Sequence, residues 1–579
     1  MKSTVKKILC ILMSAAMLTG LTSFTNIVSF AAQENTEYAV IDTSNPYSYK
    51  IPGAKEAAQK NAKAPSRNAK SSFPAQYDSR NYGFVTPVRN QGQTGTCWAH
   101  STMAAIESYE LANGISDSTV NYSESHLVWF ALNPKDESGQ SNANDGTNLG
   151  ADAYEYGGNR MDSAITLANT EGINNDADYP LYPYDDEQYP FTESDRYTHS
   201  SGRGIKDAEF LETADEIKQA IISNGGVTTS FCYAQQFEKS VYESGHRYYS
   251  YYCDTAYQSN HAVTAVGWDD NYPASRFKTD PGSDGAWLIK DSWGTGSKDN
   301  GYFWISYADA SLDEFTSFST LSLEENYKNY SYTGITPVQL LSCTKYSNIY
   351  TSSGYELIST VGILNYTPEA NYTVKIYKNP GTTNPESGTL AGTATRYLKN
   401  TGYYTFEFND IPLNPSEKFA VVVSASSSNT FWVALESSGA GAYTAHEGES
   451  FRHNGARWVS TISSGYGNTY IFVNTKCNHQ TVTETSESTC SVHGHVSSVC
   501  TQCEKVITDT ELPLAPHSYS FNSYITGDEI LRYRTCENCG ASELLSRSAV
   551  TKTVPIGNFI QMLFDLIFAK IYSLFGQSY

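Results

Sequence analysis

Apolar and polar positions change rhythm several times along the chain, and each change predicts a different kind of element. The chain starts with Lys2, Lys6 and Lys7, followed by an apolar run from Ile8 to Leu21 and the small-x-small step Ser29-Phe30-Ala31, with Ala32 as a second cleavage point. That order predicts a secretory signal peptide over residues 1–32. Residues 33–72 are polar, rich in alanine and lysine from Ala54 to Lys70, and offer few recurring apolar positions. They are expected to be a pro-segment or linker without a core of its own. Denser patterning begins at Phe73. Met103, Ile106 and Tyr109 recur at helical spacing and Gly114 is a stop, which predicts a helix within Thr96 to Gly114. A second helix is expected from Arg160 to Glu171.

From His261 onward the period shortens. "HAVTAVGW", "GAWLIKDSWG" and "GYFWISY" are Val-, Ile-, Trp- and Tyr-rich runs between turn residues, and they predict strands. Helices first and strands later make residues 73–325 an α+β domain. Between 326 and 477 the runs "YTVKIYKNP", "TGYYTFEF", "KFAVVVSAS" and "NTYIFVNT" predict a β-sandwich. Residues 478–550 turn polar and carry two CxxC pairs, Cys500/Cys503 and Cys536/Cys539. The end, 551–579, is strongly apolar with a narrow polar stripe of Asn558, Gln561, Asp565, Lys570 and Ser573. It predicts an amphipathic helix. Asp565 and Lys570 would each cost about 2.5–3.5 kcal/mol near a bilayer centre, so docking on protein or contact with a membrane surface is expected rather than spanning.

Composition narrows the function classes. Of 579 residues 40% are hydrophobic and 17% charged, which supports packed cores and excludes general disorder. The formal net charge of −22 repels phosphate backbones, so nucleic acid is not an expected partner. Eleven cysteines are present; Cys10 leaves with the signal, and six, Cys477 to Cys539, crowd into the last fifth. The others, Cys97, Cys232, Cys253 and Cys343, are scattered, so Cys97 has no evident disulfide partner.

Cys97 ends the small-residue loop "NQGQTGTC" where the first helix begins, with Gln91 six residues upstream. A thiol needs a lowered pKa or an adjacent base to act as a nucleophile, and a helix N-terminus supplies part of that shift. His261 opens one strand and Asp291 closes another, so strand ends facing a helix N-terminus can bring the three together.

These blocks resemble the papain-like cysteine peptidases. "PAQYDSRNYGFVTPVRNQGQTGTCWAHS" is similar to the family's N-terminal block, "NHAVTAVGWDD" to its histidine block, and "WLIKDSWGTGSKDNGYFWISY" to the block carrying its third catalytic residue. "EYGGN" resembles its Gly-Gly substrate strand. His261 follows Cys97 by 164 residues, against about 130–150 in that family; an insertion in Glu137 to Gly150 would account for the excess. The resemblance implies a two-lobed fold, peptide-bond hydrolysis and no cofactor. It makes Cys97 the nucleophile, His261 its proton partner, Gln91 an oxyanion donor and Asp291 the group that orients the histidine. It places Trp293 as a shield over the His–Asp contact, and Gly157 and Gly158 against the substrate backbone. Metal is not assigned to this site.

Two positions depart from the family. A cysteine usually found at the place of Thr94, disulfide-bonded to a second, is absent; this removes a staple but no chemistry. Asp291 replaces the usual asparagine, and a carboxylate additionally favours imidazolium. Residues 326–477 resemble the lectin-like domain that follows the peptidase in some exported clostridial-type proteins, through "GILNYTPEANYTVKIYKNPG" and "GYYTFEF". Trp432, Tyr443 and Trp458 are candidates for stacking on sugar. The CxxC pairs, supplemented by His479, Cys490, His493, His495 and His517, are open between zinc ligands and disulfides. The expected protein is therefore a secreted or cell-surface peptidase made as a zymogen. Its partners would be a protein or peptide substrate and a glycan or cell-surface ligand. The alternatives are an adhesin that uses a peptidase fold as scaffold, and another thiol hydrolase such as a peptidoglycan amidase.

Overall fold

The computed structural model describes residues 38–40, 73–133, 152–169, 172–181, 191–323, 328–334, 339–427, 429–436, 445–550 and 556–575. The expected signal peptide, most of 33–72, and Tyr443 lie outside them. The chain forms two compact units, 1–353 with 357–476, and 354–356 with 477–579.

In the first unit the helix Cys97–Ala112 is buried on nearly all sides. Trp98, Met103, Ala105 and Ile106 pack in one core with Val128 of the helix Glu124–Leu132 and Met161 and Ile165 of Arg160–Asn169. The helix Ala214–Asn224 packs on the other side. It is fixed by a Thr213/Glu216 capping box at its start and Gly225 at φ +76° at its end. Burial all round explains why the helix shows only a weak amphipathic stripe in the sequence.

A sheet of thirteen strands runs through the unit. Val227–Phe231 pairs antiparallel with His261–Asp269, which pairs with Ala286–Lys290, then Tyr302–Ser306. Asp313–Ser322 and Arg203–Phe210 continue it on the other side of Val227–Phe231. The sheet does not stop at the boundary near residue 325. Gly402–Leu413 pairs with Arg203–Phe210 through Gly402↔Glu209, Tyr403↔Ala208 and Tyr404↔Asp207. Gly402 sits at φ +142°, and a Cβ there would lie 2.1 Å from the Ala208 carbonyl oxygen, so only glycine permits the junction. Leu364, Tyr403, Trp432 and Phe472 belong to the same hydrophobic core as Trp98 and Met103. Arg396 adds a bidentate pair to Asp207 at 2.7 and 2.6 Å.

Six strands in the order Thr389–Leu398, Ala370–Lys378, Lys418–Ser426, Lys345–Thr351, Ser450–His453, Trp458–Ser460 form a second sheet. Its Tyr346, Val374 and Val421 pack against Ile358, Val361 and Ile471 of the large sheet, which makes the sandwich. Trp432 is buried in the core and unavailable to a ligand. Trp458 is half-buried; its Nε1 donates to Glu386 Oε2 at 3.2 Å. The short strand Tyr38–Val40 pairs with Gln339–Leu341, so this part of 33–72 is added to another segment's sheet.

The second unit contains two antiparallel three-stranded sheets. One has Thr481–Ser486, Gly494–Cys500 and Val506–Leu512, the other Tyr519–Thr526, Glu529–Cys536 and Ser542–Ala549. A helix spans Ile556–Phe575. Among the described residues no helix is long and apolar enough to cross a membrane.

Candidate active site

The helix Cys97–Ala112 starts without a side-chain cap: Thr96 makes no capping bond, and the Ala99 and His100 amides both reach the Thr96 carbonyl. Its N-terminus opens into a cleft of about 770 Å³ lined by Gln91, Cys97, Gly157, Gly158, His261 and Trp293. The helices thus present the thiol from one side of the cleft, and strand ends present the histidine from the other. Gly157 has φ +88° and ψ −176°, a conformation open to glycine alone. Gly158 lies flat against the Trp98 indole, where a Cβ would come within 2.5 Å of Cε2. Gly95 is equally constrained, its amide donating to the Tyr154 carbonyl at 2.7 Å.

His261 is buried, with Nε2 2.9 Å from Asp291 Oδ1. Nδ1 is the ring nitrogen left for the Cys97 sulfur, to which the imidazole is hydrogen-bonded. Trp293 stacks on the imidazole with centroids 4.6 Å apart and planes 15° from parallel, so it covers the His–Asp contact. Burial pushes the Cys97 thiol up, but the hydrogen bond and charge of His261 and the Ala262 and Trp98 amides outweigh it, and the thiol lies below its ordinary value. Burial alone would also lower His261; its bonds to Asp291 and Cys97 prevail and hold it up at about 9. Both shifts favour the thiolate–imidazolium pair.

Asp291 has a second partner that the sequence pattern did not flag. Lys298 Nζ lies 2.8 Å from Asp291 Oδ2, itself buried, and sits 3.5 Å above the centre of the Phe303 ring. Despite burial, His261 and Lys298 hold the Asp291 carboxyl well below the usual carboxylate range. Lys298 lies in the polar turn "GTGSKDNG", whose composition reads as solvent-exposed loop; only the fold brings it under Trp293 and Tyr233.

Gln91 is held at both ends of its amide. Nε2 donates to the Thr94 carbonyl at 2.8 Å, and Oε1 accepts from Ser292 Oγ at 2.6 Å. Its backbone amide donates to the Ser292 carbonyl at 2.8 Å. Thr94, at the place of the expected missing cysteine, donates to the Gln91 carbonyl at 2.7 Å and contacts Thr96 Oγ1 at 2.6 Å, so hydrogen bonds close this loop. Beneath it Arg89 bridges the buried Glu107 and Glu124. Thr86 donates to Glu107 at 2.6 Å, and Lys290 donates to Thr86 at 2.9 Å. Burial brings Lys290 down to about 8. His100 is buried, its Nδ1 3.0 Å from the Thr96 carbonyl, as expected of a packing residue.

Glu314 is a second cleft residue missed in the sequence. It is buried, in the left-handed region at φ +60°, and its Oε1 has no hydrogen-bond partner among the described residues. Burial, only partly offset by Arg160, pushes its carboxyl up to about 7.

The comparisons with known proteins agree with this geometry. The papain family cysteine protease description matches residues 73–320, and the lectin-like domain description matches 326–474. Cysteine proteinase 1 of Entamoeba histolytica is 31% identical over 235 residues, covering 40% of this chain and 62% of that protein. Thiol protease aleurain of Arabidopsis thaliana is 30% identical over 258 residues, covering 43% and 61%. The chain thus spans about three-fifths of the length of these relatives. Among solved structures, the clostridial cysteine protease Cwp84 after propeptide cleavage is similar at TM-score 0.59 and 25% identity, covering 70% of this chain and 99% of that one. A structure of the cysteine protease and lectin-like domains of Cwp84, a surface layer associated protein of Clostridium difficile, matches in fold at TM-score 0.60 and 23% identity over 77% of this chain and 100% of that one. Residues 73–320 thus form a papain-like catalytic domain, and residues 326–474 a lectin-like domain.

Proposed function

We propose that the chain is an exported cysteine endopeptidase that cuts protein or peptide chains through Cys97. The observation that carries this reading is the convergence of Cys97, His261 and Asp291 at an uncapped helix N-terminus in an open cleft. The Cys97 thiolate attacks the scissile carbonyl carbon. The oxyanion that forms accepts from the Cys97 backbone amide and from the Gln91 Nε2 hydrogen not used by Thr94. The His261 imidazolium passes its proton to the leaving amine, and a thioester remains on Cys97. Imidazole then takes a proton from water, the hydroxide attacks the thioester, and the carboxylic acid leaves as the Cys97 thiolate returns. Asp291 holds the imidazole ring in place, Lys298 keeps Asp291 ionised, and Gly157 and Gly158 offer their backbone to an extended substrate.

Residues 1–32 are read as the export signal and 33–72 as a segment removed or displaced on activation, with the catalytic part starting near Phe73. The lectin-like domain supports contact with a glycan or cell-surface ligand. In the helix Ile556–Phe575, exposed Leu563, Phe564, Ile567 and Phe568 support contact with a membrane surface, and Asp565 and Lys570 keep it from spanning.

The test is peptide-library cleavage by the purified full chain, with labelling by a thiol-directed epoxide. Cleavage and labelling should both vanish in Cys97→Ala while the circular dichroism spectrum is kept. Unchanged cleavage in that variant would show that Cys97 is not the nucleophile, and no cleavage or labelling by the wild type, before or after removal of residues 33–72, would favour the adhesin reading.

A further inference from the structure

We infer that residues 477–539 hold two structural zinc ions, each in a Cys3His set of ligands. The first set is Cys477, His479, Cys500 and Cys503; the second is Cys490, His517, Cys536 and Cys539. Within each set the four donor atoms all lie within 4.8 Å of one another.

In each set two donor–donor distances match the edges of a tetrahedron around a metal. Zinc–sulfur bonds of about 2.3 Å and zinc–nitrogen bonds of about 2.0–2.1 Å require sulfur–sulfur edges of about 3.8 Å and sulfur–nitrogen edges of about 3.5 Å. Cys477 Sγ and Cys500 Sγ are 3.7 Å apart, and Cys490 Sγ and Cys536 Sγ 3.5 Å. Cys503 Sγ lies 3.3 Å from His479 Nδ1, and Cys539 Sγ 3.5 Å from His517 Nδ1. A disulfide needs sulfurs about 2.0 Å apart. Parity also opposes disulfides: each set holds three cysteines, so a bridge within a set strands one thiol. Three thiolates and an imidazole on a tetrahedron suit zinc rather than the hard cations.

The two sites repeat one design. In each, the histidine precedes the first strand of a three-stranded sheet, and the CxxC pair forms the turn between the second and third strands. The residue after each pair, Glu504 or Gly540, is left-handed at φ +59° or +70°. In both, its amide donates to the carbonyl of the first cysteine, Cys500 or Cys536, at 2.9 Å. The fourth ligand comes from further upstream. Cys477 ends the strand Ile471–Cys477, and Cys490 lies in the first hairpin of the preceding sheet. The second ion therefore ties the two small sheets to each other across the linker Leu512–His517.

Among the described residues these sheets lack an apolar core of their own. Between Cys477 and Val550 the buried apolar side chains are Cys477, Cys490, Cys500 and Cys536, all four of them donors. The flanking strands Thr481–Ser486 and Ser542–Ala549 are exposed along their whole length. A three-stranded sheet without an apolar face has no independent stability, and a bound metal is one of the few ways to supply it.

The test uses the full chain in a Cys97→Ala background, so that self-cleavage is removed. Elemental analysis after gel filtration should give about two zinc ions per chain, one for each donor set. Cys500→Ser and Cys536→Ser should each lose one, and Cys536→Ser should open Leu512–His517 to added trypsin-independent cleavage by proteinase K. Wild-type protein with no bound metal overturns the inference. A mass lowered by two hydrogens per bridge in such protein identifies disulfides as what replaces it. A single zinc lost by only one of the two substitutions overturns the other site.

Discussion

Residues 357–476 bury Ile358, Val361, Ile363, Val374, Val421 and Ile471 between two sheets, whereas the strands from Cys477 to Val550 bury only four cysteines among their apolar side chains. The alternation of apolar and polar residues that fixes register in the first case is nearly missing in the second. The difference teaches what a cysteine means in each context. In 73–325 the helix and strand positions are set by apolar packing, so Cys97 is free to take the reagent's part proposed for it, and His261 holds its thiol below the ordinary value. In 477–550 the thiols and histidines stand where a core would stand. One residue type serves as reagent where the fold is otherwise secured, and as structure where it is not.

The sharpest way to break the comparison is to cut the first unit at its sequence boundary. A chain ending at Glu325 keeps every candidate catalytic residue, and sequence reasoning alone expects it to stay active on short peptides. The structure argues against that. The cut exposes the edge of Arg203–Phe210 and removes Leu364, Tyr403, Trp432 and Phe472 from the core that holds Trp98 and Met103. At about 1.5–3 kcal/mol for each large buried side chain, the loss rivals the ~5–15 kcal/mol that keeps a domain folded. The 73–325 fragment should be unfolded or aggregated and inactive, while a chain ending at Lys476 should turn over short peptides within about two-fold of the full chain. Thermal unfolding followed by circular dichroism, with peptide turnover, decides; a 73–325 fragment that melts like the longer chain would show that the shared sheet contributes little.

Next in size is the oxyanion side of the cleft. Gln91→Ala removes a donor and also leaves Ser292 Oγ and the Thr94 carbonyl without their side-chain partner. A drop in kcat of about 100–1000-fold with KM little changed is expected. A loss confined to KM would mean that Gln91 only shapes the cleft.

Much of this site was legible in the sequence because its chemistry is carried by local blocks. Gln91, Cys97, His261, Asp291 and Trp293 each sit in a stretch whose residue order marks it, and the helix expected within Thr96–Gly114 is found at Cys97–Ala112. Lys298 and Glu314 were not legible. Their partners are distant in sequence or lie on the far side of a turn, and a lysine between Ser297 and Asp299 looks like any solvated loop residue. The strand pairing of Gly402 with Glu209 was hidden for a related reason: hydrophobic alternation reports which face is buried, not which strand lies alongside. The two Cys3His sets needed the fold as well, since each takes one cysteine from outside its own sheet's CxxC turn.

The smallest effect concerns the pair Asp291–Lys298. The pH–rate profile should fall on the alkaline side where the Cys97–His261 pair loses its proton, and that limb belongs to the pair rather than to one residue. His261 is held up at about 9, so the imidazolium persists below that pH and is lost as pH rises through it. Asp291→Asn removes the carboxylate that favours imidazolium and leaves the Lys298 ammonium buried without its partner. Both effects lower the histidine, so the alkaline limb should move down by about 1 unit or more. Lys298→Met leaves the carboxylate to His261 alone and should move the limb up by less, since the 2.9 Å hydrogen bond to Asp291 is unchanged. The double variant removes a neutral pair; its limb should lie below wild type but above Asp291→Asn, and its rate at the optimum should exceed that of Asp291→Asn because no unpaired charge is left buried. Non-additivity of about 0.5–3 kcal/mol between the two substitutions would measure the coupling. Four superimposable pH profiles would mean that neither the carboxylate nor the ammonium acts on the imidazole, and that the fold around Trp293 alone sets its orientation.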